Sequence, residues 1–191
     1  MATTVTLELL RNYLERFGWN KYQIVDEPHE QEGLLRTGWH SPEGDGGFTM
    51  VIDPIVEKAC LSFRVPAVIL KPPSELDREV LMDLLQAIGW INYAIILGKF
   101  SYDPSKGEVR FSIDLPIDSN TLTYDQFIHC LHTAVHTVES YVPFLEAIAS
   151  GQIRFEEFYE VVTATARPRL PAAVQQLLNE LERLLQEEAR P

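Results

Sequence analysis

Apolar residues recur at Val5, Leu9, Leu10, Tyr13, Leu14 and Phe17, the spacing of one helix face, and Gly18 follows as a stop. Thr3 or Thr4 stands where a cap is wanted, so the pattern predicts an amphipathic helix with one buried stripe. Between residues 20 and 70 the period changes. Tyr22-Gln-Ile-Val-Asp, Gly33-Leu-Leu-Arg-Thr-Gly-Trp, Phe48-Thr-Met-Val-Ile and Ala59-Cys-Leu-Ser-Phe-Arg-Val are short, rich in β-formers and divided by turn residues, Ser41-Pro-Glu-Gly-Asp-Gly-Gly47 among them. They predict three or four antiparallel strands.

Pro72-Pro73-Ser74 predicts the start of a second helix, with Ser74 as its cap. Leu76, Val80, Leu84 and Ile88 face in, while Arg78, Glu79, Asp83 and Gln86 face out. From Ala87 to Leu97 the helix is apolar on every side except at Asn92, as where a helix enters a buried centre. That centre is either the monomer core or a subunit interface. Asn92 suits a hydrogen bond to a neighbouring loop backbone or the setting of register at a dimer contact, the first being favoured. Lys99–Asp103 and Glu108–Leu115, joined by Pro104-Ser-Lys-Gly107, predict a β-hairpin with one wet face.

Thr123 with Gln126 reads as a capping box opening a third helix, with Phe127, Leu131, Ala134, Val135, Val138 and Val142 as its stripe and Pro143 as a kink or break. A shorter helix through Phe155, Phe158, Tyr159 and Val162 follows. Residues 166–171 read as a semi-rigid linker, and 172–189 as an amphipathic helix with a leucine stripe that needs a cover. The pattern is that of an α+β protein, an antiparallel sheet flanked by helices in the order α-β-β-β(-β)-α-β-β-α, with C-terminal helices.

Charge narrows the partners. With 28 acidic and 16 basic residues the net charge is −12, which repels phosphate backbones and anionic lipid. Nucleic acid and membrane are therefore not expected partners. The longest apolar run is too short to span a bilayer, and no signal-peptide pattern opens the chain. Cys60 and Cys130, far apart and set among apolar neighbours, fit small core residues in a reducing compartment. A cytoplasmic location is expected.

The search for chemistry returns little. His129, His132 and His136, with Asp125 and Glu139 alongside, share a helix face opposite the apolar stripe. Zinc wants three or four such ligands, but three from one straight helix converge poorly, and no HExxH is present. A solvated or interface face is the better reading. The Gly44-Asp-Gly-Gly47 loop lacks a following Lys, Ser or Thr and carries acids that repel phosphate. There is no GxSxG elbow and no Cys–His pair at a family spacing, and Glu156-Glu157 have nothing to orient them. No catalytic residue and no cofactor is expected. Trp19, Trp39 and Trp90 suit either a peptide groove or ordinary core and edge packing, the commoner use.

Leu84-Leu-Gln-Ala-Ile-Gly-Trp-Ile-Asn92, Gly98-Lys-Phe, Asp103-Pro-Ser-Lys-Gly-Glu-Val109 and Leu122-Thr-Tyr-Asp-Gln-Phe127, over roughly residues 3 to 150, resemble the YbjN family. That family is described as bacterial sensory-transduction regulators, and the chain is similar in particular to its cyanobacterial members. The resemblance implies a type III secretion chaperone-like fold, a homodimer, and protein binding or regulation rather than catalysis. It supplies no functional residues. Residues 1–150 would then be the chaperone-like domain and 151–191 a helical extension packed on that domain or on a partner. The leading function is a non-enzymatic module that binds a protein partner or peptide segment. Trp90, Tyr93 and Leu97 are its interface candidates. A metal- or small-ligand-responsive regulator using His129, His132 and His136 is the alternative, and a structural subunit of an assembly the third.

Overall fold

The computed structural model describes residues 5–25, 33–41, 46–55, 58–117 and 122–166. Two compact units result, Met1–Phe155 and Glu156–Pro191. In the first, helix α1 (Leu7–Phe17) precedes strands β1 (Tyr22–Val25), β2 (Leu34–His40), β3 (Gly47–Ile55) and β4 (Cys60–Leu70). Helix α2 (Arg78–Ala94), the hairpin β5 (Lys99–Asp103) and β6 (Glu108–Pro116), and helix α3 (Tyr124–Ala149) follow. Helix α4 (Phe155–Ala166) starts on the last residue of the first unit, and its remaining residues are what is described of the second. The linker and the leucine stripe expected beyond it lie outside the described residues.

All pairings in the six-stranded sheet are antiparallel, in the order β1-β2-β3-β4-β6-β5. The first four strands are a meander. The hairpin then joins through β6 beside β4, with Phe63 opposite Ile113. One sheet face is apolar: Leu35, Met50, Ile52, Leu61, Phe63, Val65, Val109 and Phe111 are all fully buried. Helix α3 packs against β4 and β6 on that face, and touches both α1 and α2. The Phe127 and Phe63 rings meet at 5.4 Å. The other face carries a polar ladder. Arg64 pairs with the buried Asp53, Ser62 donates to Asp114 at 2.7 Å, and Lys99 lies 3.4 Å from the same carboxylate.

Local chemistry explains the boundaries. Thr6, not Thr3 or Thr4, caps α1, accepting from the Leu9 amide at 3.2 Å. Asp77 stands at the N-cap of α2, because Pro73–Glu75 first close a 3-10 turn, so Ser74 is not its cap. The capping box of Thr123 and Gln126 is present on α3. That helix runs through Pro143, which cannot donate the helical hydrogen bond to the Glu139 carbonyl, without ending there. Lys71 donates to the Ala149 carbonyl at 2.8 Å, placing a cation at the C-terminus of α3. Asp83, expected outside, is buried and paired with Arg154 at 2.5 Å.

Two glycines serve the hairpin. Gly98 (φ +90°) lets the chain leave α2 directly over the Phe111 ring, where any Cβ would collide. Gly107 (φ +67°) closes the turn against the Lys71 carbonyl. Asn92 ties helix to hairpin. Its amide donates to the Phe100 carbonyl at 2.9 Å and its oxygen accepts from the Phe100 amide at 2.8 Å. This is the favoured backbone role read from the sequence.

Candidate functional site

Three segments far apart in sequence build one groove. Gly18, in the left-handed conformation, turns the chain at the end of α1, and the Trp19 amide reaches back to the Leu14 carbonyl at 2.9 Å. Phe17 and Trp19 are thereby set at the C-terminal end of α1. Alternation along β2 puts Leu35, Thr37 and Trp39 on the helix-bearing face, and Trp39 lies opposite Phe48 on β3. Helix α3 contributes Leu131, His132, Val135, His136 and Glu139. The resulting groove has a volume of about 330 Å³.

A run of rings lines its wall and continues past it to Phe48 on β3. His132 meets Phe17 edge to face at 5.3 Å, Phe17 meets Trp19 at 5.9 Å, Trp19 meets Trp39 at 6.3 Å, and Trp39 meets Phe48 at 5.2 Å. Ring pairs at these separations lie in the favourable range for aromatic contact. The Trp39 indole N–H donates to the Glu139 carboxylate at 3.1 Å. That bond fixes the indole and holds the half-buried carboxylate beside it. Ser140 Oγ lies 3.5 Å from His136 Nδ1.

Such a surface offers π faces, dispersion contacts and one anionic group. No Ser, Thr or Cys lines it to act as a nucleophile. Cys130 is buried, and burial pushes its thiol above the ordinary range. Burial, then Asp114 and Asp53, do the same to the Cys60 thiol. Both shifts oppose thiolate formation.

Of the three histidines, His132 and His136 line the groove; His129 is exposed and does not. Among the described residues no three His, Cys, Asp or Glu side chains are grouped to hold a metal ion. Trp19 and Trp39 come together, while Trp90 is half-buried on α2. Phe17, assigned to a buried stripe, is instead partly exposed at the groove, and Glu139 lines it and accepts from Trp39.

A second surface lies on α2 and the segment after it, since the helix ends at Ala94 and does not run on to Leu97 as expected. Ala87, Ile88 and Ile91 are buried, but Tyr93 is 89% exposed and Ile96 fully so, with Met82 and Leu85 exposed nearer the N-terminus. Leu97 is half-buried. In one copy of the chain the apolar half-helix is thus not enclosed all round.

The model of the YbjN family, described as "Putative bacterial sensory transduction regulator", matches residues 6–147. Among solved structures the chain is similar to "YbjN, a putative transcription regulator from E. coli", at 19% identity and a TM-score of 0.53. That match covers 79% of this chain and 97% of the other. At that identity the likeness concerns the fold. No curated protein matches the chain. Among the described residues no helix is long and apolar enough to cross a membrane.

Proposed function

We propose that this chain, which belongs to the YbjN family, is a non-enzymatic regulatory module that works by binding a protein segment. The observation carrying the reading is the groove itself: a row of aromatic rings and one carboxylate, with no nucleophile lining it. Aromatic anchors in a concave site are the usual energetic centre of a protein contact. The net charge of −12 supports a protein partner over nucleic acid or an anionic membrane. In this reading residues 1–150 form a type III secretion chaperone-like domain and 151–191 a helical extension, in a cytoplasmic protein of the cyanobacterial kind. Co-purification from native lysate should recover one stoichiometric protein partner. Turnover of a small molecule by the purified chain, with no partner recovered, would overturn the reading.

The module acts as a homodimer through α2 and the segment that follows it. Tyr93 and Ile96, with Met82, Leu85, Trp90 and Leu97 around them, leave an apolar face that a two-fold contact covers by pairing it with its copy. Sedimentation at micromolar concentration should show one species at twice the chain mass. Tyr93→Glu combined with Ile96→Glu should convert it to monomer and leave the unfolding midpoint of the monomer intact. A wild-type monomer removes the dimer from the proposal.

A further inference from the structure

Glu139 is half-buried against an indole, and its contact with that indole uses one carboxylate oxygen. The Trp39 N–H occupies Oε1 and leaves Oε2 with its acceptor capacity. Among the described residues no Lys or Arg lies within ion-pair distance of Glu139. The cations of neighbouring α1 are engaged elsewhere. Arg16 stacks over the Tyr124 ring at 3.8 Å, and Arg11 lies 3.7 Å from Glu15. A carboxylate held at the rim of an aromatic groove without a resident cation is an incomplete arrangement.

From this we infer that the groove takes a Lys or Arg side chain of a partner segment, flanked in that segment by apolar residues. The inference rests on the reading of the chain as a protein-binding module. The carboxylate supplies a charge-assisted hydrogen bond, which is stronger than a neutral one and favours a basic donor. The faces of Trp19 and Trp39 supply the π surface over which such a cation is held. A guanidinium can sit over such a ring, as Arg16 already does over Tyr124 at 3.8 Å. Leu131, Val135 and Phe17 offer the apolar floor for the flanking residues. About 330 Å³ lies at the low end of ligand sites, room for a side chain or two and not for a whole helix. The net charge of −12 adds long-range attraction for a basic segment and repulsion for an acidic one.

The test is selection of random 12-residue peptides, displayed on phage, against the full chain. The expected outcome is a consensus with one Lys or Arg between apolar residues, and a shift of tryptophan emission when a selected peptide is added. Replacing its Lys by norleucine, or its Arg by citrulline, should weaken binding about tenfold or more. Glu139→Gln should do the same. That variant keeps an oxygen for the Trp39 indole and removes only the charge, and its urea midpoint verifies the fold. Trp19→Leu should weaken the same peptide. Selected peptides that ignore all groove variants would overturn the groove while leaving the binding module standing. Peptides sensitive to Trp19→Leu but carrying no cation would overturn the cation chemistry alone. A consensus reproducing the chain's own residues 172–189, or a Trp19→Leu variant that dissociates a dimer, would assign the groove to self and overturn the inference. Failure to enrich any peptide would overturn both this inference and the reading beneath it.

Discussion

Replacing Asn92 by Ala removes two hydrogen bonds at once. Both involve the backbone of Phe100, whose side chain is 2% exposed, and both are short, at 2.8 and 2.9 Å. Each contributes about 1 kcal/mol net, and a polar group left unsatisfied away from water costs about 1–3 kcal/mol. Asn92 is only half-buried, so water reaches part of the gap, and the expected loss is about 2–3 kcal/mol. For a unit of this size that lowers Tm by roughly 4–12 °C. Urea denaturation followed by far-UV circular dichroism measures it, with an unchanged m-value as the sign that stability alone has moved. Asn92→Asp discriminates further. It keeps an acceptor for the Phe100 amide but sets a carboxylate against the Phe100 carbonyl, so at neutral pH it should be no more stable than the Ala variant. A loss below about 0.5 kcal/mol for Asn92→Ala, with unchanged m, would refute the assignment of Asn92 as the clamp between α2 and β5.

Gly98→Ala should cost about 2–4 kcal/mol in urea denaturation, since it combines a left-handed backbone with a Cβ driven into Phe111. Changing His132 and His136 together to Ala should cost no more than about 1 kcal/mol, chiefly the ring contact of His132 with Phe17, and elemental analysis of untagged protein should find no stoichiometric zinc. Asp103 supplies an acid-side signal. The Ser105 hydroxyl (2.6 Å) and amide (2.8 Å) hold its carboxyl below the ordinary range, so its contribution is present above the unfolded value and lost as pH falls through the folded one. Ser105→Ala should therefore flatten the fall in urea midpoint as pH drops through and below the ordinary carboxylate value of 3.8, while a parallel curve would show the turn to be silent.

Much of the fold was legible because it is local. Four strands between residues 20 and 70, the hairpin, the capping box at Thr123 and the backbone role of Asn92 all follow from periodicity and short-range chemistry. Errors arose where a local signal had a rival. Thr6 caps α1 because Leu7 begins the helix, and two prolines before Ser74 favour a 3-10 turn. Asp83 was misplaced because its partner Arg154 lies 71 residues on. The groove was legible only in pieces: His132, His136, Trp19 and Trp39 were each singled out. Their meeting depends on the β2 register and on α1 packing against α3, which no spacing along the chain reveals. The polar ladder on the far sheet face is hidden for the same reason, since Asp53, Ser62 and Asp114 sit on three strands.

The strand order also has a consequence in time. During synthesis β4 emerges with one side paired to β3 and the other awaiting β6, its most distant neighbour in sequence, with Leu70 opposite Glu108 and Cys60 opposite Pro116. At ribosomal speeds of about 5–20 residues per second, the roughly 46 residues between Leu70 and Pro116 take about 2–9 seconds to appear. For that interval the nascent chain presents Leu61, Phe63 and Val65 on a strand with a vacant hydrogen-bonding edge, in the middle of what becomes the sheet. The meander can zip at once, but the joint between β4 and β6 must wait and close across a long loop. Nascent-chain capture by a holdase should therefore peak at lengths between β4 and β6, and moving the hairpin ahead of the meander by circular permutation should abolish that peak.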